Sequence, residues 1–404
     1  MRIRDLCEIN SQSLNSDIIF ETYEYLDTGN ITKNVIDEIQ VFNNKNELPS
    51  RAKRLVRQGD ILISTVRPNQ LHYGILENPK DNLIVSTGFA VLSPKSNLVN
   101  NYYLYYYLTQ EKVTKFLQML AESSVSAYPS ITPDVIGNIE INLPSLKIQN
   151  KVVESIHIFD KKISLNLHFA TTLKEYSQLL FHKWFVDFNF PNEKGKSYKD
   201  NGGKMHEVDG KLIPVGWEID VITSLGEIIS GGTPSKSNSN YFCDFGIPWI
   251  TPKDLSLTSN KYIERGAIDI TDEGLKNSSA KLIPKGTVLM SSRAPIGYLA
   301  ISKNDVTTNQ GFKSIVPNPS VGSEFVYYTL KRMMPKIEKI SSGSTFKEVS
   351  KEMLSKLEVL KPEDSVLSKY QETMKVLSEK IVLLEEETEI LINTRDLLIK
   401  KLFS

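Results

Sequence analysis

Lys147-Ile148-Gln149-Asn150-Lys151-Val152-Val153-Glu154 opens a stretch that runs to Leu179-Leu180-Phe181-His182-Lys183-Trp184-Phe185, and the chain carries it twice. The second copy runs from Ser365 to Phe403. Residues 123–185 lie over 341–403 at a constant shift of 218, and fifteen of the 63 pairs are identical. Among these are Glu140/Glu358, Pro144/Pro362, Ile163/Ile381, Leu173/Leu391, Leu180/Leu398, Lys183/Lys401 and Phe185/Phe403. An ungapped match of this length marks an internal duplication.

Both copies read as long amphipathic helices. In a heptad frame, Ile156, Ile163, Ala170, Ser177 and Trp184 fall at a, and Phe159, Asn166, Leu173 and Leu180 at d. The second copy is cleaner. Leu377, Leu384, Leu391 and Leu398 recur every seven residues at d, with Ile381, Thr388, Arg395 and Leu402 at a. A narrow apolar seam favours packing on one partner helix over burial all round. Polar a residues weaken such a seam but fix its register. At about 1.5 Å per residue, each helix spans on the order of 55–60 Å. Two such helices in one chain are natural antiparallel partners, although a helix from another chain fits the pattern equally.

The rest of the chain supplies two globules. The 404 residues exceed one ordinary core. We place the segments at 1–144, 145–189 (first long helix), 190–216 (linker), 217–362 and 363–404 (second long helix). In the first globule, Ile61 to Thr65, Leu83-Ile84-Val85, Phe89 to Leu92 and Ile139 to Pro144 read as strands, and Tyr102 to Leu117 as a Tyr-rich helix. Ser123 to Ala127 reads as a polar loop. The second globule repeats this frame: Gly286 to Pro295 matches Gly59 to Pro68 in type, Asn309-Gln310-Gly311-Phe312 sits where Thr87-Gly88-Phe89 does, and Phe325 to Met333 repeats the helix. A shared scaffold with different loops is what varied recognition leaves behind. The linker residues lack the apolar spacing of a core element.

Composition narrows the function. Lys plus Arg equals Asp plus Glu, so no global basic coat exists, although local patches can. No apolar run of about eighteen residues is present, and Met1 to Glu8 has no apolar leader region. Two cysteines and no secretion signal suggest the cytoplasm. Five histidines form no His-Glu-x-x-His pair, and the cysteines are too far apart in sequence for a zinc knuckle. Gly195-Lys196-Ser197 matches only the tail of a phosphate-binding loop, with Phe190 where the first glycine belongs and no strand before it. We therefore expect a binding protein, not an enzyme, with no metal or cofactor of its own.

Taken together, the chain resembles the specificity subunit of a type I restriction–modification system. The resemblance rests on Pro214-Val215-Gly216-Trp217-Glu218, Ser230-Gly231-Gly232-Thr233-Pro234-Ser235, Ile247-Pro248-Trp249-Ile250, Ser291-Ser292-Arg293-Ala294-Pro295-Ile296-Gly297 and Asn309-Gln310-Gly311-Phe312. Leu398 to Phe403 and its copy Leu180 to Phe185 close each half in the same manner. The first half departs from the pattern: it lacks the Gly-Gly-Thr-Pro loop and has Val66-Arg67-Pro68 in place of Arg293-Ala294-Pro295. The resemblance implies an α+β protein with a pseudo-twofold repeat, in which two target-recognition domains are separated by two long helices in an antiparallel coiled coil. It implies a non-catalytic, nucleoid-associated subunit that reads a bipartite, asymmetric sequence on double-stranded DNA. It also implies partners: two modification subunits that methylate adenine with S-adenosylmethionine, and two restriction subunits that use ATP and Mg2+. The outer helix face with Lys161, Lys162, Lys174 and Glu175 is the expected docking surface.

Candidate DNA contacts follow from chemistry. Arg can bond guanine O6 and N7, and Asn or Gln adenine N6 and N7. Arg67, Asn69, Gln70, Arg293, Asn309 and Gln310 sit on loops beside strands, joined by Thr233, Ser292 and Lys313. Asn309 and Gln310 could equally stabilise their own turn. Arg51, Lys53, Arg54 and Arg57 are candidate phosphate contacts or a solvated surface cluster. Lys253, Lys281 and Lys285 are further candidates. The Tyr-rich helices could stack on bases, but their helical spacing favours packing in a core. A scaffold that dimerises through its helices without touching DNA is the rival reading.

Overall fold

A computed structural model describes residues 1–123, 128–341 and 347–403. The chain divides into two compact units: Met1–Ser164 with Glu389–Ser404, and Leu165–Thr388. The polar loop expected at Ser123 to Ala127 lies, beyond Ser123, outside the described residues.

In the first unit the strands are β1 (Cys7–Ile9), β2 (Tyr23–Leu26), β3 (Ala52–Leu55), β4 (Ile61–Ser64), β5 (Tyr73–Ile75), β6 (Leu83–Ser86) and β7 (Phe89–Pro94). One sheet has the order β1-β7-β4-β5. A second runs Gln40–Phe42, β2, β6, β3, with β2 and β6 parallel. The second unit carries β8 (Gly226–Ser230), β9 (Ile247–Ile250), β10 (Val288–Ser292), β11 (Ile296–Ser302), β12 (Thr307–Thr308) and β13 (Lys313–Pro317). Its larger sheet has the order β8-β13-β10-β11 followed by Tyr262–Ile263, and its smaller one again contains a parallel pair, β9 with β12. The register is kept as well. Cys7 pairs with Pro94 and Glu8 with Ser93, while Gly226 pairs with Pro317 and Glu227 with Val316.

The apolar run Ile61-Leu62-Ile63 is continuous because β4 is covered on both faces. Ile61 and Ile63 join the core under the helices, and Leu62 joins a second core with Leu26, Val85 and Phe89. In β10, Val288 and Met290 face the helices and Leu289 faces Ile250 and Phe312. At roughly 1.5–3 kcal/mol per large side chain, these buried faces are the main stabilisation of each unit.

The helices are α1 (Asn101–Leu108), α2 (Glu111–Glu122), α3 (Leu146–Phe185), α4 (Ser323–Ile340) and α5 (Asp364–Leu402). The single helix expected from Tyr102 to Leu117 is two. Thr109 caps α1, its hydroxyl donating to the Tyr105 carbonyl (2.9 Å), and the Gln110 side chain donates to the Tyr107 carbonyl (3.0 Å). In the other half, α4 continues through Pro335. Ile139 to Pro144 is not a regular strand; it meets the N-terminus through an isolated bridge from Arg2 to Glu140. The copy Glu358–Lys361 does form one, paired with Glu218–Val221.

The expected a residues of α3, Ile156, Ile163, Ala170, Ser177 and Trp184, are all buried. On α5, Ile381, Leu384 and Thr388 are buried, but Leu402 is exposed. In the second unit, Asn166 donates to Glu387 (2.8 Å) and Trp184 packs on Tyr370 with ring centroids 5.5 Å apart. Rising numbers on α3 thus meet falling numbers on α5, an antiparallel pair. In the first unit, Arg395 reaches Asp160 at 2.9 Å. Burial disfavours the Arg395 charge, but Asp160 and Asp396 more than offset this and raise its pKa. Phe403 packs on Tyr103 (4.9 Å) as Phe185 packs on Phe325 (4.7 Å).

The linker is more ordered than its composition suggests. Phe190 is buried and stacks on Trp217 and Tyr198, and Met205–Val208 pairs with Lys211–Pro214 as a hairpin. No helix among the described residues is long and apolar enough to cross a membrane.

Candidate nucleic-acid interface

The same backbone frame recurs at the end of the central strand in both units. In the first, Thr65 N donates to Gly88 O (2.8 Å) and Ile131 N to Thr65 O (2.9 Å). In the second, Ser292 N donates to Gly311 O (2.7 Å) and Val349 N to Ser292 O (3.0 Å). Loops of different sequence are pinned to this one framework.

In the second unit, Gly231 N donates to Phe312 O (3.3 Å), Gly232 N to Thr308 O (2.8 Å), and the Trp249 indole to Gly232 O (3.0 Å). A Cβ on Gly231 would lie 2.0 Å from the Asn309 carbonyl oxygen, and one on Gly232 2.3 Å from the Ser279 carbonyl carbon. Close approach of three backbones, not an unusual torsion, therefore explains the two glycines. The Thr233 hydroxyl donates to the Gln310 side-chain oxygen. Pro252 abuts Gly311 and places Lys253, exposed on the short helix Pro252–Ser256, beside them. Lys281 is also exposed and follows Ala280, which Gly232 contacts; Lys285 instead sits beyond the opposite end of β10.

Arg293 is half-buried at this edge. Its Nη1 lies 3.5 Å from Glu348 Oε2, and Lys313 Nζ lies 3.5 Å from Glu348 Oε1. Gln310 is exposed. The Asn309 side-chain oxygen accepts from Gly311 N (2.8 Å), so the turn-stabilising role holds for that atom. Two candidates are not surface groups. Ser292 is fully buried with its hydroxyl donating to Gly311 O (3.1 Å), and Lys313 is buried against Glu348. Both lie on inner strand segments, which spacing along the sequence does not reveal.

In the first unit, Arg67 has a left-handed backbone (φ 47°) and leads into the turn Pro68–Gln70. Its guanidinium lies 5.1 Å over the Tyr128 ring. Arg67, Asn69 and Gln70 are exposed. Asn69 N is held by Gln118 of α2 (3.1 Å), and the Gln70 side-chain oxygen lies 3.3 Å from His72. The bridge from Arg293 to Glu348 corresponds to one from Val66 to Ser130, so the arginine of this half sits one residue later.

The basic cluster is not one patch. Arg51 is exposed, and its carbonyl accepts from Thr87 N (2.9 Å) beside the Gly88 frame. Six residues later, on the order of 20 Å along the extended β3 segment, Arg57 is paired with Glu8 (3.6 Å) and Asp60 (3.7 Å). Lys53 is exposed between them. Arg54 is half-buried; burial lowers its pKa, and its Nε finds no acceptor among the described residues. Tyr103, Tyr105, Tyr106 and Tyr328 are buried, so these tyrosines pack the core and cannot stack on bases. Glu348 and Tyr128 were invisible as site residues; the only signal was the ungapped repeat, which sets Glu348 against Ser130.

Among the described residues no group of three or more His, Cys, Asp or Glu could hold a metal ion. The chain matches the family model of the type I restriction modification DNA specificity domain over residues 1–174 and 214–393. It is 29% identical, over 448 aligned positions, to the type I restriction enzyme HindI specificity subunit of Haemophilus influenzae, covering 98% of this chain and 97% of that protein. It is 41% identical over 187 positions to the MjaIX specificity subunit of Methanocaldococcus jannaschii, covering 46% and 43%. A crystal structure of the type I restriction–modification S subunit from M. genitalium shares the fold, with a TM-score of 0.58 at 15% identity over 100% of this chain and 95% of that one. With both copies of the repeat matched by one family model, the chain belongs to the type I restriction modification DNA specificity family, as a specificity subunit that carries sequence-recognition domains for DNA.

Proposed function

We propose that this subunit reads a bipartite, asymmetric target on double-stranded DNA, one half per recognition domain (1–144 and 217–362). The observation behind this is the repeated frame with unlike side chains. Arg67, Asn69 and Gln70 hang on Thr65–Gly88. Thr233, Arg293, Asn309 and Gln310 hang on Ser292–Gly311. Equal frames supply equal docking, and unequal donors supply different words. Arg51, Lys53, Lys253 and Lys281 are the phosphate contacts in this reading, and Ser292 and Lys313 support the loops from within. Arg54 and Arg57 are too buried or too well paired to lead.

The chain itself catalyses nothing in this account. Two modification subunits methylate adenine with S-adenosylmethionine, and two restriction subunits use ATP and Mg2+. Their docking surface in this reading is the apolar stripe that the helix pairing leaves outside, in place of the expected face with Lys161, Lys162, Lys174 and Glu175, because Lys174 turns inward to pair with the buried Glu385 (2.7 Å). Val376, Leu383, Ile390 and Leu397 recur every seven residues on α5 and are all exposed, as are Ile158, Leu165 and Leu179 at the equivalent positions of α3. Water-facing leucines at a strict heptad are costly unless covered. The test is to co-express the chain with a type I modification subunit and sequence the methylome. A split adenine-methylated motif supports the proposal; absence of any motif from an assembled complex favours a helix-mediated scaffold without DNA recognition.

A further inference from the structure

Glu348 is out of place in a surface meant for DNA. It sits between Arg293 and Lys313, with its side chain 39% exposed, and a carboxylate there repels phosphate. Its backbone is fixed: the strand bridge from Arg293 to Glu348 makes the two a cross-strand pair, and Val349 N donates to Ser292 O. Directly opposed residues have Cβ atoms about 4.5–5.5 Å apart, so the two side chains leave the backbone together. Glu348 Oε2 then meets Arg293 Nη1, and Oε1 meets Lys313 Nζ, each at 3.5 Å.

We infer that Glu348 is a positioning residue that sets base choice by fixing the Arg293 guanidinium. The inference rests on the reading of Arg293 as a base contact. One carboxylate between two cations cannot neutralise both, so the cluster keeps a net positive charge. A guanidinium has five N–H donors. Glu348 engages Nη1 and leaves the remaining donors for the acceptor edge of guanine. Lys313 has 10% of its side chain exposed and anchors the carboxylate from below. The first half has a different device for the same end: Tyr128 supports Arg67 from its ring face, and Ser130 stands at the position of Glu348.

The experiment uses the complex of the full chain with its modification subunits. The probes are duplexes bearing the methylome-defined motif and every single base-pair substitution in the second half-site. R293A is expected to abolish discrimination at one base pair. E348Q is expected to lower discrimination at that same base pair by roughly three- to tenfold, the worth of one pre-ordered side chain. Affinity for the duplex substituted there should stay level or rise. Since E348Q strands the Lys313 ammonium, K313M/E348Q is measured alongside and should show the same selective loss with restored thermal stability. Equal weakening on all duplexes, no change, or lost discrimination at a different base pair would overturn the positioning role while leaving Arg293 as a reader. R293A without effect on any base pair would instead remove the reading of Arg293, and the inference with it.

Discussion

Replacing Lys261 by Met should strongly destabilise the second unit. Lys261 is 2% exposed and Glu324 9%. The ammonium donates to Glu324 Oε2 and to the Tyr328 hydroxyl (3.3 Å), and lies 5.0 and 4.5 Å over the Tyr327 and Tyr328 rings. Burial lowers its pKa, against the opposing pull of Glu324 and Glu385. Glu324 also accepts from Tyr262 and from Ser378 of α5 (2.7 Å). Lys261 N donates to Glu385 of α5 (3.0 Å), which in turn pairs with Lys174 of α3 (2.7 Å). The network ties the recognition globule to both long helices within one unit. Removing one partner of a buried pair costs about 3–5 kcal/mol, because the other charge is stranded. At roughly 2–4 °C per kcal/mol for a unit of this size, Tm should fall by about 6–20 °C in calorimetry. K261M/E324Q leaves no stranded charge, so it should be less destabilised than K261M alone. A K261M loss below about 1 kcal/mol, or a double mutant showing the sum of both losses, would refute the reasoning.

Three further outcomes follow from the same geometry. G232A forces a Cβ to within 2.3 Å of the Ser279 backbone; we expect a folded protein by circular dichroism whose complex loses methylation directed by the second half-site. R67A removes the guanidinium over Tyr128 and should relax one base pair of the first half-site by about 1–3 kcal/mol in competition binding, with the second half-site unchanged. L383E/L397E places charges on the exposed stripe; co-purification of modification subunits should fail while Tm stays within about 2 °C of wild type, because surface changes rarely exceed 0.5 kcal/mol each.

The helices were the most legible part of the chain. All five a positions of α3 are buried because period and seam depend only on local geometry. The buried run at Ile61 to Ile63 was equally readable, since apolarity on both faces leaves no other solution. Tertiary effects were not readable. The Thr109–Gln110 break depends on side chains that cap adjoining turns, and the linker's order depends on Trp217, which Phe190 cannot announce by itself. Charge proximity in sequence misled most: Arg51 and Arg57 are neighbours on paper and lie beyond opposite ends of β3. Ser292 and Lys313 carry suitable chemistry on the wrong side of the surface. Glu348 pairs with residues 55 and 35 positions away in sequence, and no spacing rule reaches that far.

The most direct test of the account is exchange of residues 217–340 for the equivalent segment of another specificity subunit, followed by methylome sequencing of the co-expressed complex. The account predicts a split motif in which the half read by residues 1–144 is kept and the other half is replaced. An unchanged motif, or loss of both halves from a complex that still assembles, would contradict it.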